Sequence, residues 1–221
     1  MKDRIVSVLF GILLFFLIIT FSIGLPIYFR PFYYLQVEPL DIPRITGKTA
    51  EEIIDAYDEV LDYLTLPGQE FGVGVFEYSE DGKSHFEDCK VLFDLNGIVL
   101  LLSAAGVCLI YLLSRLGKVK IASPLGFTPG FFSGAVALFL FLSIGALAAM
   151  DFNTAFTVFH KLLFPGKENW IFNPYTDPII LAMPIEFFVG CAVLIASSII
   201  SISLFLVIRG AVLKKRKNST L

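Results

Sequence analysis

Ile5 to Tyr28 read IVSVLFGILLFFLIITFSIGLPIY, an apolar run with no charged side chain. As a helix it is long enough to cross about 30 Å of hydrocarbon. It exceeds the apolar core of a secretory leader, and Ile27-Tyr28-Phe29-Arg30-Pro31 offers no A-x-A-like cleavage site, so it reads as a retained membrane helix. Three more apolar runs of spanning length follow, at about Leu95–Ser114, Phe127–Met150 and Ile185–Ile208. With 56% hydrophobic residues among 221 and a mean hydropathy of +0.78, the chain is too apolar for one soluble domain. The expected fold class is an all-α membrane protein, four transmembrane helices with a small extracellular, mainly helical cap.

Lysine and arginine set the orientation. Lys2 and Arg4 precede the first run, Arg115, Lys118 and Lys120 separate the second from the third, and Arg209 with Lys214, Lys215, Arg216 and Lys217 follows the fourth. All of these belong on the cytoplasmic side. The chain then divides into a first transmembrane helix (1–28), an extracellular cap loop (29–94), helices two and three with a short cytoplasmic loop (95–150), a second, aromatic outer loop (151–184), and helix four with a basic tail (185–221). Both termini are expected inside. The outer acidic residues from Glu38 to Asp94 read as a solvated surface, and no outer basic patch suggests nucleic acid.

The cap loop opens on aromatics suited to the headgroup level, Tyr28, Phe29, Phe32, Tyr33 and Tyr34, with Arg30 as an interfacial anchor that could also meet a lipid phosphate. Thr49-Ala50-Glu51-Glu52 has the form of a capping box. A helix should run from it to about Leu64, with Ile53, Tyr57, Val60, Leu61 and Leu64 as its apolar stripe, and Pro67-Gly68 should stop it. Phe71 to Tyr78 partly alternates, with Phe71, Val73 and Val75 on one face. It reads as a short strand, paired with Tyr33 to Val37. Ser79 to Gly82 reads as a turn. A second capping box, Ser84-His85-Phe86-Glu87, would make Ser84 an N-cap and His85 the first helical residue, where the helix dipole disfavours imidazolium.

The chain has two histidines, His85 and His160, and both fall in the outer loops. Histidine is the side chain best suited to moving protons near neutral pH, so the pair suggests acid–base chemistry on a lipid-linked substrate. The competing reading is a pair of polar residues at the interface. Phe156, His160 and Phe164 recur at a spacing that puts them on one helical face, either as a pocket or as an aromatic belt. The spans carry no ionisable residue near mid-membrane, Asp94 and Glu186 lying at helix ends, which argues against proton-coupled transport. Of three cysteines only Cys89 is outside the membrane, so no disulfide framework is expected. No short ligand spacing indicates a metal, and no cofactor is implied.

Two stretches resemble a known family. Ser84-His85-Phe86-Glu87-Asp88-Cys89-Lys90 looks like its first motif, and Phe156, Phe159, His160, Phe164, Trp170, Phe172, Asp177, Pro184 and Phe187 look like its second. The family is the bacterial lipoprotein intramolecular transacylases, and the resemblance covers nearly the whole chain. Cys89 stands where an aliphatic residue is expected.

The resemblance implies an enzyme of the Gram-positive cell membrane, acting at the outer face on a diacylated lipoprotein, with membrane lipid around it and a monomer as the working form. The sn-2 acyl chain moves from glycerol oxygen to the lipoprotein's own N-terminal α-amine, giving the lyso form. The substrate amine is the nucleophile, so no protein nucleophile is required. The attack closes a medium-sized ring, and an ordered pocket supplies the entropy that closure costs, roughly 7–11 kcal/mol at best. His85 is expected as base at the amine, and His160 as acid at the leaving oxygen or support for the oxyanion, an assignment that could be exchanged. Asp88, Phe156, Phe164, Trp170 and Asp177 are the expected substrate-binding residues. Asp88 could orient His85 or bind the ammonium, Asp177 could instead fix its loop, and Lys90 could meet a backbone carbonyl or a headgroup. A Cys89–His85 pair, one helical turn apart, would be the alternative nucleophile. The rival functions are a non-catalytic lipoprotein-binding or envelope accessory protein, and an intermolecular acyltransferase that draws on phospholipid.

Overall fold

The computed structural model describes residues 2–219. Helices follow in the order α1 (Lys2–Tyr28), α2 (Pro31–Val37), α3 (Ile42–Thr46), α4 (Ala50–Thr65), α5 (Glu80–Arg115), α6 (Pro129–Met150), α7 (Phe152–Leu163), α8 (Ile179–Ala182) and α9 (Ile185–Ser219), with a 3₁₀ turn at Pro124–Gly126. Among the described residues there is no strand. Helices α1, α5, α6 and α9 are the four long and apolar enough to cross a membrane. The chain forms two compact units. One holds the residues up to Ile23, Asn96–Ala146 and those from Leu194 onward; the other holds Gly24–Leu95 and Leu147–Val193.

In the first unit, lipid tails are as apolar as leucine, so packing relies on small residues and hydroxyl groups. The Oγ of Ser133 donates to the Gly11 carbonyl at 2.7 Å, Ser22 bonds Ser198 at 2.9 Å, and Asn96 Nδ2 donates to the Thr20 carbonyl at 3.3 Å. At Gly134 an added Cβ would lie 2.8 Å from the Ser203 carbonyl oxygen, so glycine is what permits the approach of α6 to α9.

The second unit has a water-type core. Thr49 and Glu52 form the expected capping box at the start of α4, and Ile53, Tyr57, Val60, Leu61 and Leu64 are all buried. Lys90 Nζ donates to the carbonyls of Tyr63 and Leu66 at the far end of that helix, at 2.6 and 3.3 Å. Tyr33 stacks on Tyr57 with ring centroids 3.7 Å apart, and its hydroxyl donates to the Ala182 carbonyl at 2.7 Å. The Arg30 guanidinium is taken up by Asp58 and Asp62 of α4.

Three local expectations fail. Tyr33 to Val37 is not a strand but part of α2, which starts with Pro31 at a position where its missing N–H costs nothing. Residues 71–78 form no strand either. Val73 and Phe76 turn inward while Val75 stays 46% exposed, and Gly74 (φ 59°) brings the segment so close to α4 that a Cβ would meet Ala56 at 2.8 Å. Finally, α5 begins at Glu80, one turn earlier than the Ser84 box predicts. Ser79 is the real cap: its Oγ accepts from Gly82 N at 3.0 Å and its carbonyl accepts from Lys83 N at 2.9 Å. What read as a turn at Ser79–Gly82 is thus the cap and first turn of α5, and His85 lies in the second turn.

Candidate active site

His85 and His160 come together in the second unit, with ring centroids 5.9 Å apart and planes inclined by 36°. The apolar run of α5 begins after Asp94, so His85 belongs to its preceding polar portion. His160 comes from the last turn of α7, whose start is capped by Asp151 accepting from Thr154 N at 3.0 Å. Each ring is largely buried, at 6% and 8% exposure.

The walls are aromatic. Phe164 stands 5.0 Å from His85 and 5.9 Å from His160, Phe156 lies 4.2 Å from His160, and Trp170 stacks on His160 at 4.8 Å and 27°. Phe156 and His160 share a face of α7 as their spacing predicts; Phe164 lies just past the helix end, its N–H bonded to the His160 carbonyl at 2.8 Å. Phe172, absent from the expected binding set, adds an edge 5.5 Å from His85.

The two expected carboxylates are occupied elsewhere. Asp88 accepts from Lys167 Nζ at 2.5 Å and from Asn169 Nδ2 at 3.0 Å. Asp177 Oδ1 accepts from both the backbone N–H and the hydroxyl of Ser79, each at 2.8 Å, and Thr176 donates to Oδ2 at 2.7 Å. Asp177 therefore buttresses the start of α5, of the two roles its sequence context allowed the one that fixes its loop. Gly82 is what admits it, since a Cβ there would lie 2.1 Å from Asp177 Oδ1. Sequence reasoning missed Lys167 and Asn169, because their partner Asp88 lies far away in the chain and no local pattern joins them.

Burial, with the neighbouring His160 adding to it, lowers the pKa of His85 to about 4; Asp88 opposes the shift only in part. The expected neutrality thus has a cause other than the helix dipole. Burial also lowers the pKa of His160, against the opposing bond to the Phe156 carbonyl. Both rings are neutral near pH 7. For Asp88, burial alone would raise the pKa, but the bonds from Lys167 and Asn169 hold it below the usual carboxylate range. Cys89 does meet His85, Sγ to Nε2 at 3.4 Å, yet burial pushes its thiol up to about 12, so it is no thiolate nucleophile.

Hydrogen-bond partners fix one tautomer outright. His160 Nδ1 lies 2.8 Å from the Phe156 carbonyl oxygen, which can only accept, so Nδ1 carries the hydrogen and Nε2 the lone pair. His85 Nδ1 is buried without a protein partner. Also in the second unit, a polar pocket of about 620 Å³ is lined by Asp81, Ser84, Lys167, Glu168, Asn169 and Ile171. A larger cavity of about 1100 Å³ in the first unit offers only Arg4 as an ionisable group and cannot host acid–base chemistry. Among the described residues no group of three His, Cys, Asp or Glu side chains could hold a metal.

The model of the family described as lipoprotein intramolecular transacylase Lit matches residues 8–188. The solved structure of the membrane integral lipoprotein intramolecular transacylase Lit from Bacillus cereus is similar with a TM-score of 0.83 and 25% identity, covering 98% of each chain. Two further structures of that Bacillus cereus protein, with H85R and H85A mutations, share the fold at TM-scores of 0.77 and 0.78 and 24% identity, covering 99% and 98% of this chain and 95% and 96% of theirs. No curated protein sequence matches the chain. A four-span helical protein whose two histidines meet in an aromatic enclosure, and which the family model matches over most of its length, belongs to the lipoprotein intramolecular transacylase family, membrane-integral acyltransferases.

Proposed function

We propose that this chain moves the sn-2 acyl chain of a diacylglyceryl-cysteine lipoprotein to that lipoprotein's own α-amine, releasing the lyso form, at the outer face of the membrane. The observation that carries the reading is the buried histidine pair enclosed by Phe156, Phe164, Phe172 and Trp170. A single protein nucleophile would need an activated side chain, and the thiol in reach is held protonated. Basic residues at both ends of the chain and between α5 and α6 support cytoplasmic termini and, with them, an outer position for both histidines.

The proton bookkeeping favours exchanging the roles that the sequence suggested. The neutral α-amine, whose ordinary pKa is about 8, attacks the ester carbonyl. Its nitrogen–carbon bond forms as the carbonyl electrons move onto oxygen. His160 Nε2, the lone-pair nitrogen, takes the proton that the attacking nitrogen must lose. It then hands that proton to the glycerol oxygen as the carbon–oxygen bond breaks, so one imidazole serves as base and then acid. His85, at the same enclosure, supports the negative charge on the carbonyl oxygen. The rigid aromatic walls hold the ester and amine in the cyclic geometry that the transfer requires. The polar pocket lined by Ser84 and Asn169 gives the peptide stem a place outside the apolar enclosure.

The test is tandem mass spectrometry of a lipoprotein's N-terminal lipopeptide after co-expression with this chain in a host unable to N-acylate it. Intramolecular transfer leaves the parent mass unchanged, so fragments must show one acyl chain on nitrogen and a monoacylated glycerol. His85→Ala and His160→Ala should each abolish this pattern. A third acyl chain would mean an external donor and overturn the reading in favour of an intermolecular acyltransferase. No change with a well-expressed chain would leave a binding protein.

A further inference from the structure

We infer that Cys89 is a positioning residue: its thiol donates to Nε2 of His85 and thereby fixes that imidazole as the Nδ1–H tautomer. The inference rests on the reaction proposed above, and it adds to that reaction a division of labour between two otherwise equivalent rings.

Two observations carry it. His85 and Cys89 are one turn apart on α5, with Sγ 3.4 Å from Nε2. At this spacing side chains on a helix are neighbours. The other ring nitrogen, Nδ1, is buried and has no partner in the protein. An imidazole lone pair is a strong acceptor and a thiol sulfur a weak one, so the hydrogen of the contact lies on sulfur and points at Nε2. The ring's own hydrogen is then left on Nδ1. Phe164 and Phe172 pack against the ring at 74° and 75°, which holds it in this orientation. Burial of Cys89 keeps the thiol protonated and therefore a donor.

The consequence is complementarity. His160 offers a lone pair at Nε2 because its Nδ1–H is bound by the Phe156 carbonyl. His85 offers an N–H because its Nε2 is bound by the thiol. One ring accepts the amine proton, and the other donates a hydrogen bond to the developing oxyanion without giving up its proton, so no imidazolate forms. With the opposite tautomer, a lone pair would face the oxyanion and repel it.

The experiment is nitrogen NMR of the full chain in lipid nanodiscs, labelled at histidine. Only two imidazoles are present, so the assignment is direct through His160→Gln. The expected result at pH 7.5 is a protonated Nδ1 and a bare Nε2 for His85, with Cys89→Ala shifting His85 toward a tautomer mixture and Cys89→Ser restoring the original spectrum. In parallel, Cys89→Ala should lower kcat about ten-fold with KM little changed, a fraction of what losing an oxyanion donor costs, and Cys89→Ser should recover most of it. A wild-type spectrum with Nε2 protonated, or one that Cys89→Ala leaves unchanged, overturns the inference. Neither result touches the transacylase reading, which stands or falls with the lipopeptide fragments and the activity of the histidine variants.

Discussion

In the unit built from the apolar helix segments, cohesion comes from single hydroxyl contacts such as Ser22 to Ser198 and from the bare backbone at Gly134. In the unit that carries the histidines, one residue, Tyr33, is at once stacked on Tyr57, met edge-on by Phe187 and hydrogen-bonded to the Ala182 carbonyl. The contrast follows from the surroundings. Apolar burial gains little against hydrocarbon, so the first unit gains from removing bulk and letting backbones approach. The second is stabilised by withdrawing aromatic surface from water. The same kind of substitution should therefore act differently in the two.

The largest effect should separate chemistry from stability inside the second unit. His160→Ala should reduce transfer by roughly 10²–10⁴-fold while leaving the melting temperature within a few degrees of wild type, as read by lipopeptide fragmentation and a thermal scan. A variant that both unfolds and loses activity would show that the ring is a core residue first. Tyr33→Ala should do the opposite kind of damage, lowering stability by about 3–5 kcal/mol through the cavity left beside Tyr57 and Phe187.

Acid should also weaken the second unit selectively. His85 titrates at its ordinary 6.5 in the unfolded chain and at about 4 in the folded one, so between these values the unfolded state holds the extra proton. Its contribution is complete above about pH 6.5 and is lost as pH falls toward 4, on the order of 3 kcal/mol in all. Denaturation midpoints measured from pH 8 to pH 4 should show that decline, and His85→Leu should flatten it.

The first unit supplies the two smaller effects. Gly134→Ala inserts a Cβ 2.8 Å from the Ser203 carbonyl oxygen and should cost about 1–3 kcal/mol, although alanine is the better helix former. Ser22→Ala should cost only about 0.6 kcal/mol, the typical value of such a bond between membrane helices. If Ser22→Ala proved as damaging as Tyr33→Ala in refolding from mixed micelles, the comparison between the units would collapse.

What could be read from the sequence depended on whether its cause was local. The four apolar runs and the Thr49–Glu52 box speak through spacing alone, and the structure has them. The start of α5 was hidden because Ser84-His85-Phe86-Glu87 carries a genuine capping pattern inside a helix. The real cap, Ser79, is followed by Gly82, a poor helix former tolerated because Asp177 needs the space of its missing side chain. That His85 and His160 share one side followed from charge and hydropathy, and their aromatic walls from motif resemblance, whereas the hold of Lys167 and Asn169 on Asp88 is a long-range contact with no local signature. The short aromatic alternation at 71–78 misled because its geometry is dictated by closeness to Ala56.

Trp170 is the chain's single tryptophan, and its indole lies against His160. An excited indole readily passes charge to a neighbouring imidazolium and far less to a neutral ring, so its emission dims when that histidine gains a proton. The enzyme thus contains its own optical reporter. A plain fluorescence titration, without label or substrate, reads the protonation of one named ring, and the arrival of a lipid chain beside it would register as a change in colour and brightness.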